Sequence, residues 1–292
     1  MKKKTIKIGN GETYAYLEQG SGNQVLLLIH GNFSGSLYYK PLFDRLPRTI
    51  RVIAPDLRGY GDSSYENRFD TLATLATDLR LFLKALNIDK VDVVGWSLGG
   101  GVAMELTARH NVVNKLILIN STTHKGYPIF KKNADLTPQI GVPYKSKEEM
   151  AEDPVQVKPV LDVLKTGNAA LMSYIFEKTI YTYGKPQEED NDVYIKETLK
   201  QRCLIDADWA LANLNMGKEP SIYGKGEDLM KLIKQPVLSF WGTLDITVPE
   251  YMVLENNAAL KDVKYVRFEK CGHSPLIDKP NELTKEILDF IG

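Results

Sequence analysis

The sequence predicts an α/β fold in which a mostly parallel sheet is covered by helices on both faces. Short apolar runs alternate with longer amphipathic stretches at both ends of the chain, the rhythm of buried strands and crossover helices. That rhythm stops between about Ser121 and Gln235 and then resumes, so one core is interrupted by one insertion. A Gly-x-Ser-x-Gly pentad stands where an apolar strand gives way to a helix, a junction particular to one kind of parallel sheet.

The expected strands are Val25–Ile29, Val52–Ala54, Val91–Val94, Leu116–Ile119, Val237–Phe240 and Tyr265–Phe268. Ahead of them Thr5–Ile8 and Thr13–Leu17 alternate in side-chain character around Gly9–Glu12, which reads as an antiparallel hairpin at the sheet edge. Between Asp70 and Asn87 the apolar positions Leu72, Leu75, Ala76, Leu79, Phe82, Leu83 and Leu86 recur at helical spacing, with Asp70 placed to cap the first turn. Gly99–Ala108 and Leu283–Phe290 are the other clear core helices. The core therefore spans 1–120 and 236–292, and 121–235 is a helical cap. Within the cap, Ser146 followed by Glu149 has the form of a capping box and Asp153 before Pro154 suits a helix start. Ala169–Tyr183 carries apolar residues at helical intervals.

Composition narrows the function. Lys plus Arg and Asp plus Glu both number 37, so no net field draws the chain to nucleic acid or to an anionic bilayer. No run approaches the roughly 18 to 20 apolar residues of a spanning helix, and the basic start lacks the apolar region of a signal peptide. Two cysteines, Cys203 and Cys271, make no disulfide framework. The expectation is a cytoplasmic protein without membrane or nucleic-acid partners. Oligomeric state is not encoded legibly.

The pentad Gly95-Trp96-Ser97-Leu98-Gly99 supplies a nucleophile. Glycines flank it because a serine on so tight a turn leaves no room for a Cβ two residues away. A hydroxyl is a poor nucleophile at neutral pH and needs a base within hydrogen-bond reach. Of the four histidines only His273 follows a late strand, on a loop with Gly272, Ser274 and Pro275, from which it reaches back over the serine. His30 ends an early strand and is expected to shape the adjacent loop, while His110 and His124 are surface or packing residues. The imidazole needs a carboxylate behind it to fix its tautomer. Asp245, just past the strand Val237–Phe240, fits, and the order Ser97, Asp245, His273 is that of one serine-hydrolase lineage.

Two N–H donors must face the tetrahedral oxygen, each worth about 3 to 4 kcal/mol. Leu98 N–H is one; Asn32 N–H is the other, with Phe33 N–H one residue on as the alternative. Phe33 and Trp96 are candidates for substrate contact, and Tyr174, Phe176, Tyr181, Tyr183 and Trp209 for pocket walls. Asp56–Ser63 reads as a scaffold loop whose Asp56 and Arg58 pair locally and brace the oxyanion loop. Cys271 reads as packing. No His/Cys or His/carboxylate spacing suggests a metal and no phosphate-cradling glycine loop is present, so no cofactor is expected.

With Ser97, Asp245, His273 and the His30-Gly31 loop placed, the chain resembles the α/β-hydrolase superfamily over essentially its whole length. That resemblance implies the α/β-hydrolase fold, a mostly parallel eight-stranded sheet with a helical cap. The box Gly95–Gly101 and the stretches Gly126–Lys132 and Asp153–Val157 are similar to those of the intracellular short-chain polyhydroxyalkanoate depolymerases of bacilli. The implied substrate is amorphous poly(3-hydroxybutyrate) or its oligomers, with Ser97, Asp245 and His273 as the triad. A small-molecule carboxylesterase, lactonase or thioesterase would use the same residues. A ligand-sensing protein that keeps the triad without turnover is the reading from another class.

Overall fold

Apolar runs such as Val-Leu-Leu-Leu-Ile leave a strand no polar face, so they are stable only in a sheet covered on both sides. The computed structural model describes Met1–Gly292 and contains that sheet. Its strands are β1 (Lys4–Lys7), β2 (Thr13–Gln19), β3 (Val25–Ile29), β4 (Arg51–Pro55), β5 (Val91–Trp96), β6 (Val113–Ile119), β9 (Val237–Gly242) and β10 (Val263–Phe268). They lie in the order β1-β2-β4-β3-β5-β6-β9-β10. Only the β1/β2 and β2/β4 pairings are antiparallel. Alternate residues serve opposite faces: Leu27, Ile29 and Val93 enter one apolar core, and Leu26, Leu28 and Val94 the other.

The core helices are α1 (Lys40–Phe43), α2 (Leu72–Ala85), α3 (Leu98–Arg109), α9 (Glu250–Ala259), α10 (Pro275–Asp278) and α11 (Pro280–Ile291). Helix α2 buries Leu72, Leu75, Ala76, Leu79, Phe82 and Leu83 of the expected stripe, while Leu86 falls at its C-cap and is half-buried. Its cap is Thr71 rather than the expected Asp70: Thr71 Oγ1 accepts from Thr74 N–H at 3.3 Å. Asp70 is drawn instead to the Lys147 ammonium at 2.6 Å.

Residues between β6 and β9 form an insertion of five helices, α4 (Lys147–Ala151), α5 (Lys158–Thr166), α6 (Ala169–Thr179), α7 (Glu188–Thr198) and α8 (Leu204–Ala212). It is not wholly helical as expected. Strands β7 (Phe130–Lys132) and β8 (Pro138–Pro143) add an antiparallel ribbon on its outside. Ser146 Oγ accepts from Glu149 N–H as a cap, but the Glu149 carboxylate turns to Lys145 N–H at 2.6 Å. Asp153 does not start a helix; its carboxylate closes a turn on Val155 and Gln156 N–H, and α5 begins at Lys158.

Asp56 and Arg58 do not pair with one another, contrary to expectation. Arg58 grips Asp78 on α2 through a fork of 2.6 and 2.7 Å. Asp56 accepts from Ser36 N–H at 2.8 Å, Asp62 N–H at 2.9 Å and the Lys3 ammonium at 2.6 Å. A planar guanidinium is satisfied by a two-pronged carboxylate on a facing helix, while Asp56 sits where backbone donors converge. The Ser36 contact still ties Asp56 to the segment after β3.

Candidate active site

Chain direction concentrates the chemistry at one edge of the sheet. The residues that follow β3, β5, β6, β9 and β10 all emerge at its carboxyl end, where open parallel sheets bind ligands.

Ser97 stands alone between β5 and α3 with φ 56 and ψ −120, a conformation L-residues rarely adopt. The surroundings hold it there: Ser97 N–H donates to Ile119 O at 3.0 Å, and Ser97 O accepts from Gly100 N–H at 2.9 Å. A Cβ at Gly95 would lie 2.4 Å from Gly99 O, and one at Gly99 would lie 2.2 Å from Ile29 O. Glycine is therefore compulsory on both sides. Trp96 and Leu98 are buried, and Ser97 between them keeps partial exposure.

His273 and Asp245 meet, His273 Nδ1 lying 2.8 Å from Asp245 Oδ2 in a buried environment. Asp245 Oδ1 accepts from Thr247 N–H at 2.8 Å and Val248 N–H at 2.9 Å. Its Oδ2 also accepts from Asn120 Nδ2 at 2.6 Å. The Trp96 indole donates to His273 O at 2.9 Å, so the residue before the serine fixes the histidine loop. Ser97 Oγ has no hydrogen-bond partner within the protein, so the link to His273 is not closed. Catalytic hydrogen bonds commonly tighten only when substrate is bound.

The loop after β3 approaches the serine closely: the Cβ position of Gly31 is 3.0 Å from Ser97 Cβ. Phe33 N–H is already engaged by Asn32 Oδ1 at 3.2 Å and Gln201 Oε1 at 3.1 Å. Asn32 N–H has no acceptor in the protein. Leu98 N–H is the first of α3, where helix N–H groups lack intrahelical partners. The Asn32 side chain is locked: Nδ2 donates to Asp208 Oδ1 at 2.8 Å, and Oδ1 accepts from Tyr60 Oη at 2.9 Å and Gln201 Nε2 at 2.8 Å.

His30 is fully buried; its Nδ1 bonds Gly31 O at 2.8 Å and its Nε2 accepts from Leu57 N–H at 2.9 Å. Burial pushes its pKa down to about 4, against the attraction of Asp56. The unfolded chain then binds a proton at this site first as pH falls. The stability from neutral His30 is present above about pH 6.5 and is lost as pH falls from there toward about 4. The loss is roughly 3 kcal/mol at 1.36 kcal/mol per unit. Urea unfolding at pH 7 and pH 4.5 should show this slope in the wild type and a shallower one in His30→Gln. Equal slopes would contradict the assignment.

Trp96, a candidate for substrate contact, is 2% exposed and donates its indole N–H to His273 O. Among the aromatics of the insertion, Phe176 and Tyr181 are buried, Phe176 packing on Tyr38, while Tyr174 and Tyr183 point outward to solvent. Cys271 is buried with its thiol pKa raised by burial, as packing requires. Asp56, Asp62 and Glu197 cluster closely enough to share a metal ion, but the Lys3 ammonium lies among them, bonded to all three. Asn120 and Asp208 were missed. Asn120, directly after β6, holds Asp245 through its side-chain amide; Asp208 is an acid in the otherwise apolar run Ala207, Ala210, Leu211, a mismatch visible in the sequence.

The two stretches Gly126–Lys132 and Asp153–Val157 meet through a buried Lys132–Asp153 ion pair of 2.5 Å. Tyr127 Oη donates to Thr247 O at 2.8 Å, joining the first stretch to the Asp245 loop.

The chain is similar to an uncharacterised protein of Mycobacterium tuberculosis, 27% identical over 278 residues that cover 93% of this chain and 76% of that one. It is similar to the pimeloyl-[acyl-carrier protein] methyl ester esterase of Neisseria meningitidis, 28% identical over 270 residues, 90% of this chain and 91% of that protein. In fold it is similar to a putative lipase of Acinetobacter baumannii, with a TM-score of 0.74 at 23% identity over 99% of this chain and 90% of that one. No helix is long and apolar enough to cross a membrane. The profile of the Alpha/beta hydrolase family matches residues 26–286, and the chain belongs to that family.

Proposed function

We propose that the chain is a serine hydrolase that cleaves carboxylic esters through an acyl-enzyme on Ser97. The observation that carries this reading is the buried His273–Asp245 hydrogen bond beside a serine strained outward on its turn. His273 Nε2 takes the Ser97 proton as Oγ attacks the ester carbonyl, and Asp245 stabilises the imidazolium. Leu98 and Asn32 N–H hold the oxyanion; Phe33 N–H is occupied and does not. The alcohol leaves with the proton from His273, and water activated by the same nitrogen releases the acid. The insertion, residues 121–235, acts as a cap over this site, and Phe33, half-buried at the loop, contacts substrate.

For the substrate, the resemblance of Gly95–Gly101, Gly126–Lys132 and Asp153–Val157 to the short-chain polyhydroxyalkanoate depolymerases supports poly(3-hydroxybutyrate) or its oligomers. The similarity to a methyl ester esterase supports a small-molecule ester instead. The experiment is a panel of amorphous poly(3-hydroxybutyrate), p-nitrophenyl esters, lactones and acyl thioesters. Release of 3-hydroxybutyrate well above the rate on simple esters selects the first reading, and the reverse selects the second. Labelling of Ser97 by a fluorophosphonate with turnover of no panel member would sink the enzymatic proposal.

A further inference from the structure

Helix α8 carries a carboxyl group that the triad does not use. Asp208 is 5% exposed, and no lysine, arginine or histidine lies within ion-pair distance of it. Its single partner is Asn32 Nδ2, at 2.8 Å on Oδ1; Oδ2 has none and is not fully enclosed. Asn32 is the residue whose N–H faces the oxyanion in the serine-hydrolase mechanism above, on which this inference rests.

We infer that Asp208 is a positioning residue that works as the neutral acid: it latches the Asn32 amide, and with it the oxyanion loop, and its ionisation turns catalysis down. Burial pushes its pKa up to about 8, the charge of Asp153 acts in the same direction, and the Asn32 hydrogen bond opposes them. The other groups that face it bring no free cation. Tyr60, beside Asn32, has its pKa raised far above neutrality, and Tyr127 is pushed up to about 12. Lys132 is committed to Asp153. At neutral pH the protonated carboxyl accepts from Asn32 through Oδ1 and places no net charge beside the developing oxyanion. Once ionised, it sets a negative charge against that oxyanion in a medium with little screening.

The test is kcat and KM from pH 6 to 10 on an unactivated short-chain alkyl ester followed by acid release. Wild type, Asp208→Asn and Asp208→Ala are compared, with thermal unfolding as the check on folding. Wild-type kcat should fall by up to tenfold per pH unit above about pH 8. Asp208→Asn, a neutral isostere, should keep the pH 7 rate within about threefold and lose that alkaline limb. Asp208→Ala should lose roughly tenfold in kcat at nearly constant KM, the scale of one unlatched hydrogen bond. An alkaline limb retained in Asp208→Asn would overturn the inference. So would equal impairment of the two variants, or an alanine variant as active as wild type. Independently of activity, the infrared band of a protonated carboxyl should be present in wild type at pH 7 and missing from Asp208→Asn. Its absence from wild type overturns the neutral-acid claim, whereas loss of ester turnover with the band intact points to failure of the hydrolase reading alone.

Discussion

Ser97→Ala is expected to remove ester turnover, with a fall in kcat on the order of 10⁶-fold, and to leave the fold in place. The hydroxyl is the only atom lost, and it has no hydrogen-bond partner within the protein, so stability should stay within about 0.5 kcal/mol. The strain at φ 56 remains because alanine keeps the Cβ. Rate and stability thus separate at this position, which is the mark of a group used for chemistry and not for packing. Because Ser97 and His273 act as one unit, a double variant with His273→Ala should be no slower than Ser97→Ala alone. Single-turnover hydrolysis and urea unfolding check both halves. A variant that keeps even a hundredth of wild-type kcat would place the nucleophile elsewhere.

The sheet was legible in the sequence because its strands are covered on both faces and so read as unbroken apolar runs, as in Val25–Ile29. Where a strand begins polar, the run understates it: β6 starts at Val113, but Asn114 and Lys115 hide everything before Leu116. The ribbon β7/β8 was not legible at all. Phe-Lys-Lys and Pro-Gln-Ile-Gly-Val-Pro offer neither alternation nor a buried face, and the prolines at 138 and 143 argue against a strand. The cap of α2 went to Thr71 over Asp70 because Lys147, remote in sequence, claims the aspartate. At the site, motif and chain order were sufficient to nominate Ser97, Asp245 and His273. Asn120 and Asp208 act through contacts across 125 and 176 positions, so the sequence shows Asp208 only as an acid out of place in an apolar run, without its partner, and gives no signal for Asn120. Arg58 likewise found Asp78 on a helix before it could pair with its near neighbour.

Asp245→Asn should lower kcat by about 10⁴-fold while the protein stays folded, and the hydrogen bonds around the carboxylate say why so small a change is so costly. All four of its contacts are accepted: Thr247 and Val248 N–H on Oδ1, Asn120 Nδ2 and His273 Nδ1 on Oδ2. An amide can meet two backbone donors only with its oxygen, so its NH₂ must take the place of Oδ2. There it confronts two donors in a buried site. Asn120 can turn its amide, giving up the 3.2 Å hydrogen bond from its Nδ2 to Gly272 O so that its Oδ1, which has no partner, accepts from the introduced NH₂. His273 can relieve its clash only by moving its proton to Nε2, leaving Nδ1 to accept. That tautomer presents Ser97 with a donor where it needs a base, so the nucleophile stays protonated although Ser97 and the His273 ring keep their positions. The fall should therefore appear in kcat with KM nearly unchanged, and ¹⁵N chemical shifts of His273 should report the proton on Nδ1 in the wild type and on Nε2 in the variant. Wild-type kcat in Asp245→Asn, or an unchanged tautomer, would assign the orienting carboxylate to another residue.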